Sequence, residues 1–179
     1  MEERLKFIFA NVNEWLKFAE AKNGVLIAFN GAAIWGVLQN LAIICDISER
    51  LTLPAYIFLS FAFAGIIVSF FSFMPALTLS KKAQKAIDKA IIKDHSAIFF
   101  RDVGKFNADD YLKILHTRSK AEKSDESNSF LADIANQIIA NSRTTWLKYK
   151  MFFWALNITL VGMIIPIPFL LVYWLIKLK

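Results

Sequence analysis

The sequence predicts an all-α integral membrane protein. Three stretches, 23–45, 51–80 and 151–176, contain no charged residue, in a chain that is 56% hydrophobic and 20% charged. A helix needs about 20 apolar residues to cross a bilayer, and each stretch is at least that long. A soluble chain of 179 residues has too small an interior to hide so much apolar surface. We therefore expect several membrane-spanning helices.

The N-terminal segment, residues 1–23, is predicted to form an amphipathic helix. Its acidic and basic residues balance, whereas a helix lying on a membrane surface favours Lys and Arg. Packing against another cytoplasmic helix is therefore the favoured interpretation, and contact with lipid is the open alternative. The apolar residues at helical spacing are Leu5, Ile8, Val12, Trp15, Leu16 and Ala19.

Residues 24–80 are predicted to form a transmembrane hairpin, with spans at about 24–45 and 53–79. The connection, residues 46–50, is short and polar, which favours antiparallel neighbours. We expect Pro54 at the start of the second span, where its missing amide proton costs nothing. We expect Pro75 to kink the end of that span, because its ring opposes the carbonyl of Phe71.

Residues 81–149 form the main polar region, for which helices and loops are predicted. Near the start of this region, lysines lie along one side of a predicted helix. Residues 95–104 are expected to form a turn or a short extended piece, and residues 120–129 are expected to form an exposed loop. Asn107 is expected to cap a short helix, because Asp109 and Asp110 suit the first turn. A helix beginning near Ser129 is expected to continue without a break into the third span.

The third span, within residues 150–179, contains Pro166 and Pro168. A single kinked helix and a pair of half-helices meeting at the prolines are both conceivable. Half-helices rise only 1.5 Å per residue and would be too short for each to cross. We therefore expect one kinked span.

The net charge of +6 is explained by topology. Lys and Arg are concentrated in the N-terminal segment and in residues 80–149, whereas the 46–52 turn holds only Arg50. The positive-inside rule places the N-terminus and residues 81–149 in the cytoplasm of a multi-pass membrane protein. We therefore expect a lipid bilayer as partner and no nucleic acid.

An enzyme is the least supported class of protein. The sequence has no Gly-rich phosphate loop, nucleophile elbow or zinc-protease motif. Cys45, His95 and His116 stand apart from one another, so no metal site, cofactor or catalytic residue is expected.

Small and polar residues inside the spans indicate close helix packing or the lining of a pore. Small residues at steps of about four let two helix backbones approach in a bilayer, and uncharged polar residues there need hydrogen-bond partners. Packing inside one chain and contact between copies of a homo-oligomer both remain open. The residues singled out are Ala28, Ala32, Gly36, Gly65, Ser69, Ser72, Asn30 and Asn157.

Several short motifs, in order from about residue 19 to 165, resemble those of Pycsar transmembrane effectors. They are Glu-Ala-Lys-Asn-Gly before an apolar stretch with Asn-Gly, Met-Pro after the second span, Ile-Phe-Phe-Arg-Asp ahead of an Asp-Asp-Tyr-Leu helix, and Ala-Asn-Gln-Ile before the third span. The motif residues are Glu20, Asn30, Gly31, Pro75, Phe100 and Gln137.

The resemblance implies a bacterial anti-phage effector that impairs the inner membrane when cyclic UMP or cyclic CMP signals infection. Some members carry a separate nucleotide-binding β-domain, and this sequence shows no strand-rich segment for one. Sensing is therefore expected in residues 80–149, in the N-terminal helix or in a partner protein. Candidate residues for a phosphate-bearing ligand are Lys22, Arg101, Lys105 and Arg143.

Two other functions are consistent with the same features. A constitutive ion channel or small-solute pore would need no nucleotide, and a membrane scaffold would dock a soluble partner on residues 80–149. A pore would conduct without any added ligand, whereas a scaffold would copurify with a stoichiometric partner and would not conduct.

Overall fold

The computed structural model describes residues 1–47, 49–74, 96–119 and 129–178, and within these ranges the chain is helical with no strand. The lysine-rich segment, Pro75 and most of the predicted 120–129 loop fall outside the described residues. The helices are α1 (Glu2–Gln39), α2 (Leu41–Ile47), α3 (Glu49–Phe71), α4 (Phe100–Val103), α5 (Ala108–Ser119), α6 (Ser129–Ile164) and α7 (Pro166–Lys177).

Helix α1 combines the predicted N-terminal helix with most of the predicted first span. It runs unbroken from Glu2 to Gln39, so no break separates the N-terminal helix from the first span. The Asn40 amide N–H bonds to the Val37 carbonyl, a tighter i−3 turn that ends α1 within the segment predicted as the first span, residues 24–45. The Asn40 side chain donates to the carbonyl of Gly36 at 2.8 Å, and α2 follows.

The connection between the first two apolar segments is shorter than the predicted 46–50 turn. Helix α2 continues to Ile47 and α3 begins at Glu49. Pro54 consequently lies inside α3 and not at its start, which corrects the prediction. The helix ends at Phe71, and a turn covers the following three residues.

Between residues 96 and 107 the chain forms bends and one short helix, where a turn or extended piece was expected. Just before α4, the Ser96 hydroxyl accepts hydrogen bonds from the amide N–H groups of Ile98 and Phe99 at 3.2 and 3.1 Å. The predicted cap on the next helix is confirmed. Asn107 Oδ1 accepts the Asp110 amide N–H at 2.8 Å, and α5 begins one residue after Asn107.

Helix α6 runs from Ser129 to Ile164, in agreement with the predicted continuity into the third apolar stretch. The backbone hydrogen bonding of the helix is interrupted at Pro166, because proline has no amide proton to donate. Ile165 nevertheless keeps right-handed helical angles (φ −56°, ψ −40°), and α7 follows directly. The stretch is therefore one helix interrupted at its prolines, as expected for a kinked span.

The described helices divide into two units. The first is drawn from Met1–Ala19 and Pro75–Tyr149 and the second from Glu20–Met74 and Lys150–Lys179. In the first unit Leu5, Ile8 and Val12 of α1 are buried, which agrees with the predicted packing against other helices, whereas Trp15 on the same helix is 39% exposed. The buried core of this unit comprises Leu5, Ile8, Val12, Ala97, Phe100, Val103, Phe106, Tyr111, Leu115, Ala135, Ile138 and Ile139.

Among the described residues, three helical stretches are long and apolar enough to cross a membrane: Glu2–Gln39, Leu51–Phe71 and Ser129–Ile176. The second unit exposes many of their large apolar side chains, such as Trp35, Phe63 and Trp174 at 66%, 60% and 64%. Water would disfavour such a surface, whereas lipid accommodates it. The chain is therefore a helical membrane protein.

Candidate functional site

The first unit contains a cavity of about 520 Å³ that brings together three of the four cations predicted for a phosphate-bearing ligand. Pockets for small molecules commonly measure about 300–1,000 Å³. The cavity is bounded by α4, by the turn after it and by α6. Its lining residues are Phe100, Arg101, Gly104, Lys105, Arg143, Trp146 and Leu147.

Arg143 holds the turn that forms one wall of the cavity. Its Nε donates to the Gly104 carbonyl at 2.7 Å, and its Nη2 donates to the Phe106 carbonyl at 3.2 Å. Gly104 lies tightly against it, because a Cβ there would stand 3.2 Å from Arg143 Cγ and 3.3 Å from Arg143 N. These bonds fix the turn and direct two of the guanidinium nitrogens toward backbone carbonyls.

Arg101 and Trp146 form a second part of the cavity wall. The guanidinium carbon of Arg101 lies 5.5 Å from the centre of the Trp146 ring, within the distance of an attractive cation–π interaction. Both side chains are exposed, Trp146 to 43%. A flat aromatic ring and a planar guanidinium at one opening suit a ligand that has both a ring and a negative charge.

Lys105 is positioned through Asp102. Its Nζ lies 3.2 Å from Asp102 Oδ1, and Asp102 Oδ2 accepts the Ser96 amide N–H, also at 3.2 Å. The carboxylate belongs to α4 but does not line the cavity. The lining residues, all of them described, therefore include basic and no acidic side chains.

Phe100 connects the cavity to the buried core of the same unit. Its ring centre lies 5.7 Å from that of Trp15 and 5.3 Å from that of Tyr149. Tyr111 is fully buried nearby in this core, and its hydroxyl donates to the Ala97 carbonyl at 2.9 Å. Burial raises the pKa of the Tyr111 hydroxyl above its ordinary value.

Lys22, the fourth predicted cation, does not belong to this cavity. It lies in the second unit, where its Nζ stands 5.4 Å from the centre of the Phe152 ring. Trp146 and Gly104 were not predicted as site residues. The spacing of Arg143, Trp146 and Leu147 at i, i+3 and i+4 places them on one helix face and is the signal that could have found the tryptophan.

The second unit contains a buried polar junction of three helices. Asn30 Nδ2 of α1 donates to Thr159 Oγ1 of α6 at 2.9 Å, and Thr159 Oγ1 donates to the Ala155 carbonyl at 3.0 Å. Gly65 of α3 faces both groups, because a Cβ there would stand 2.7 Å from Thr159 Oγ1 and 3.2 Å from Asn30 Nδ2. Thr159 was not singled out from the sequence.

The two stripes of small residues differ in structure. Gly65 and Ser69 on α3, and Ser72 in the turn that follows it, are buried inside the second unit. On α1, Ala28, Ala32 and Gly36 are exposed, and a Cβ added at Gly36 would meet nothing within 4 Å among the described residues. The first stripe therefore packs within the chain, and the second presents a small-residue face to its surroundings.

The other predicted positions lie apart from the cavity. Asn157 Nδ2 donates to the Phe153 carbonyl of its own helix at 2.7 Å. Gly31 and Gln137 are exposed, Glu20 is partly buried, and Pro75 lies outside the described residues. In the described parts of the chain, no group of three His, Cys, Asp or Glu residues is arranged to hold a metal ion.

The fold and the cavity define a multi-helix membrane protein with a separate unit that carries a basic and aromatic cavity. A family model described as the Pycsar effector protein domain matches residues 4–176. The chain therefore belongs to the Pycsar effector family, whose members act at the membrane in anti-phage defence and are linked to cyclic pyrimidine nucleotide signalling. No curated protein and no solved structure matches the chain.

Proposed function

We propose that this protein is an anti-phage effector that binds a cyclic pyrimidine nucleotide, cyclic UMP or cyclic CMP, and then impairs the bacterial inner membrane. The observation that carries the proposal is the cavity in which Arg101, Lys105 and Trp146 lie together. The protein binds the nucleotide as a signal and does not transform it.

The cavity offers the two kinds of contact that a cyclic nucleotide needs. Trp146 stacks on the pyrimidine ring, a contact worth about 1–3 kcal/mol in nucleic-acid complexes. Arg101 and Lys105 donate charge-assisted hydrogen bonds to the cyclic phosphate, which carries one negative charge. Arg143 keeps the Gly104 turn in place and acts as a positioning residue.

Equilibrium dialysis of the purified protein in nanodiscs, with cyclic UMP and cyclic CMP in turn, tests this site. Trp146→Ala and Arg101→Gln are expected to weaken binding roughly tenfold or more. Trp174→Ala is a matched control, because Trp174 is exposed in the second unit. Absence of binding by the unsubstituted protein, or equal weakening by Trp174→Ala, contradicts the proposed site.

The impairment of the membrane is proposed to require homo-oligomerisation. The exposed face of Ala28, Ala32 and Gly36 supports this, because small residues allow close contact between helices in lipid. Ala32→Phe is expected to reduce the oligomer mass measured by light scattering, and Ala42→Leu, at an exposed position in α2, is expected to leave it unchanged. An unaltered oligomer mass in Ala32→Phe would exclude this face as the contact between copies of the chain.

The proposed orientation places the N-terminus and residues 81–149 in the cytoplasm, where the nucleotide is made. Its support is the distribution of Lys and Arg along the sequence. Reporter fusions at the N-terminus and after residue 119 are expected to report a cytoplasmic location, and a periplasmic signal at either position would reverse the topology.

The test in cells is plaque formation on bacteria that carry this protein with a pyrimidine cyclase. We expect fewer plaques than with either gene alone. Toxicity of the protein without the cyclase would favour the constitutive pore. Equal plaque numbers together with copurification of a stoichiometric partner would favour the scaffold.

A further inference from the structure

Two of the buried polar atoms in the second unit have no hydrogen-bond partner among the residues that the structure describes. They are Asn30 Oδ1 and Ser69 Oγ, on side chains that are 0% exposed. Inside a membrane no bulk water satisfies such groups, so each unsatisfied atom raises the free energy of the packed arrangement.

These atoms belong to one continuous interface. Asn30 bonds to Thr159, and Gly65 lies against both. Ser69 follows Gly65 by four residues on α3, one helical turn or about 6 Å along the same face. We call the residues Asn30, Gly65, Ser69 and Thr159 the polar seam.

The polar seam is closed in this structure and separated from the lipid-exposed surface. The space beside Gly65 does not accommodate even a Cβ atom. On the same helix, Phe63 and Phe70 are 60% and 58% exposed, so apolar side chains form the outer face while polar groups are held inside. A purely structural interface would be expected to leave no acceptor unsatisfied.

We propose that the polar seam is the path by which water and monovalent cations cross the membrane when the helices of the second unit separate. In potassium channels neutral carbonyl oxygens replace the hydration shell of the cation, and the amide oxygen of Asn30 and the hydroxyl oxygen of Ser69 are likewise neutral oxygen ligands. Separation would hydrate Asn30 Oδ1 and Ser69 Oγ, which favours the open arrangement. This inference rests on the proposed function, because it specifies how the effector impairs the membrane.

Cysteine accessibility tests the path directly. In a Cys45→Ser background, which removes the sole cysteine of the sequence, Ser69→Cys is placed in vesicles of phosphatidylethanolamine and phosphatidylglycerol. A positively charged methanethiosulfonate reagent reacts with a thiol only where water allows the thiolate to form. We expect the cyclic nucleotide to raise its reaction rate with Ser69→Cys roughly tenfold or more.

Phe70→Cys is the matched control, because it is the next residue on α3 and faces outward. Its rate is expected to stay low with and without nucleotide. Ser69→Cys protein that depolarises the vesicles but stays unmodified overturns the path and leaves the proposed function intact. Unsubstituted protein that binds the nucleotide but never depolarises the vesicles contradicts both proposals.

A second variant makes the test independent of the folding of Ser69→Cys. Asn30→Asp introduces a negative charge into the seam and is expected to raise the permeability ratio of K⁺ to Cl⁻ roughly tenfold. Asn157→Asp is the control, since Asn157 bonds to its own helix and lies outside the seam. An unchanged ratio in Asn30→Asp, or an equal rise in Asn157→Asp, argues against the path.

Discussion

The amide of Asn30 donates to the hydroxyl of Thr159 across 2.9 Å, although the two residues are 129 positions apart in sequence. The Thr159 hydroxyl in turn donates a hydrogen bond to the Ala155 carbonyl at 3.0 Å. Both side chains are buried, at 0% and 2% exposure. This chain of hydrogen bonds joins the first and third apolar helices of the second unit.

Thr159→Val is expected to weaken that connection without changing the volume of the side chain. The Asn30 amide loses its acceptor, and the free energy of unfolding should fall by about 1–2 kcal/mol. Thermal unfolding in detergent micelles, followed by circular dichroism, measures the change. Thr144→Val is the control, because Thr144 bonds only the Ala140 carbonyl of its own helix among the contacts described; equal losses in the two variants would contradict the account.

Gly65→Ala is expected to lower stability by roughly 1–3 kcal/mol, because the added methyl group collides with Thr159 Oγ1 and crowds Asn30. Gly24→Ala, where a Cβ meets nothing within 4 Å among the described residues, should be neutral or stabilise the helix by up to about 1 kcal/mol. The same unfolding measurement compares them. Gly65→Ala protein as stable as the parent would show that α3 does not need this close approach.

Arg143→Lys separates positioning of the turn from ligand binding. A lysine head cannot reproduce the bonds to Gly104 and Phe106, so stability should fall by about 1.5–3 kcal/mol. Arg101→Lys, at an exposed side chain, should change stability by less than about 0.5 kcal/mol while weakening nucleotide binding. Thermal unfolding and equilibrium dialysis of both variants provide the test. If Arg101→Lys lost stability and Arg143→Lys lost only nucleotide binding, Arg101 would be the positioning residue and Arg143 the ligand-binding one.

Tyr111→Phe tests the buried hydroxyl in the core of the first unit. Burial raises the pKa of Tyr111, so the folded protein keeps a proton that the unfolded chain loses near pH 10. The stabilising effect of the neutral hydroxyl is complete below that pH and is lost progressively as the pH rises from there through the raised pKa of the folded state. Near pH 7 the substitution should cost about 1 kcal/mol, because the bond to Ala97 is removed.

The difference between Tyr111→Phe and the parent protein should therefore narrow or reverse at alkaline pH. Unfolding midpoints at about pH 7 and about pH 11 measure it. A difference that stays constant over this range would show that the hydroxyl is not protected from ionisation.

Local features of the fold could be predicted from the sequence. The length of the apolar stretches predicts the helices that can cross a membrane, and helical spacing predicts the buried face formed by Leu5, Ile8 and Val12. The cap at Asn107 followed from the two aspartates after it. Each of these features depends on residues within a few helical turns of one another, because hydrophobic length, helical spacing and capping are local properties of the sequence.

The remaining features depend on contacts between distant segments. The stripes containing Ala32 and Gly65 are equivalent as patterns, yet one is exposed and the other is buried. Spacing cannot predict that Asn30 donates a hydrogen bond to Thr159, or that Arg143 donates hydrogen bonds to two backbone carbonyls. Charge alone predicts Arg101 and Lys105 as ligand-binding residues, and only the fold places them beside Trp146.

The central claim is that a cyclic pyrimidine nucleotide makes this protein permeabilise the membrane. The direct measurement is the membrane potential of vesicles containing the purified protein, followed with a voltage-sensitive dye as cyclic UMP or cyclic CMP is added on the cytoplasmic side. We expect prompt loss of the potential with nucleotide and a stable potential without it, and Trp146→Ala should suppress the response. A potential that remains stable with both nucleotides, at concentrations where the protein is shown to bind them, would contradict the account.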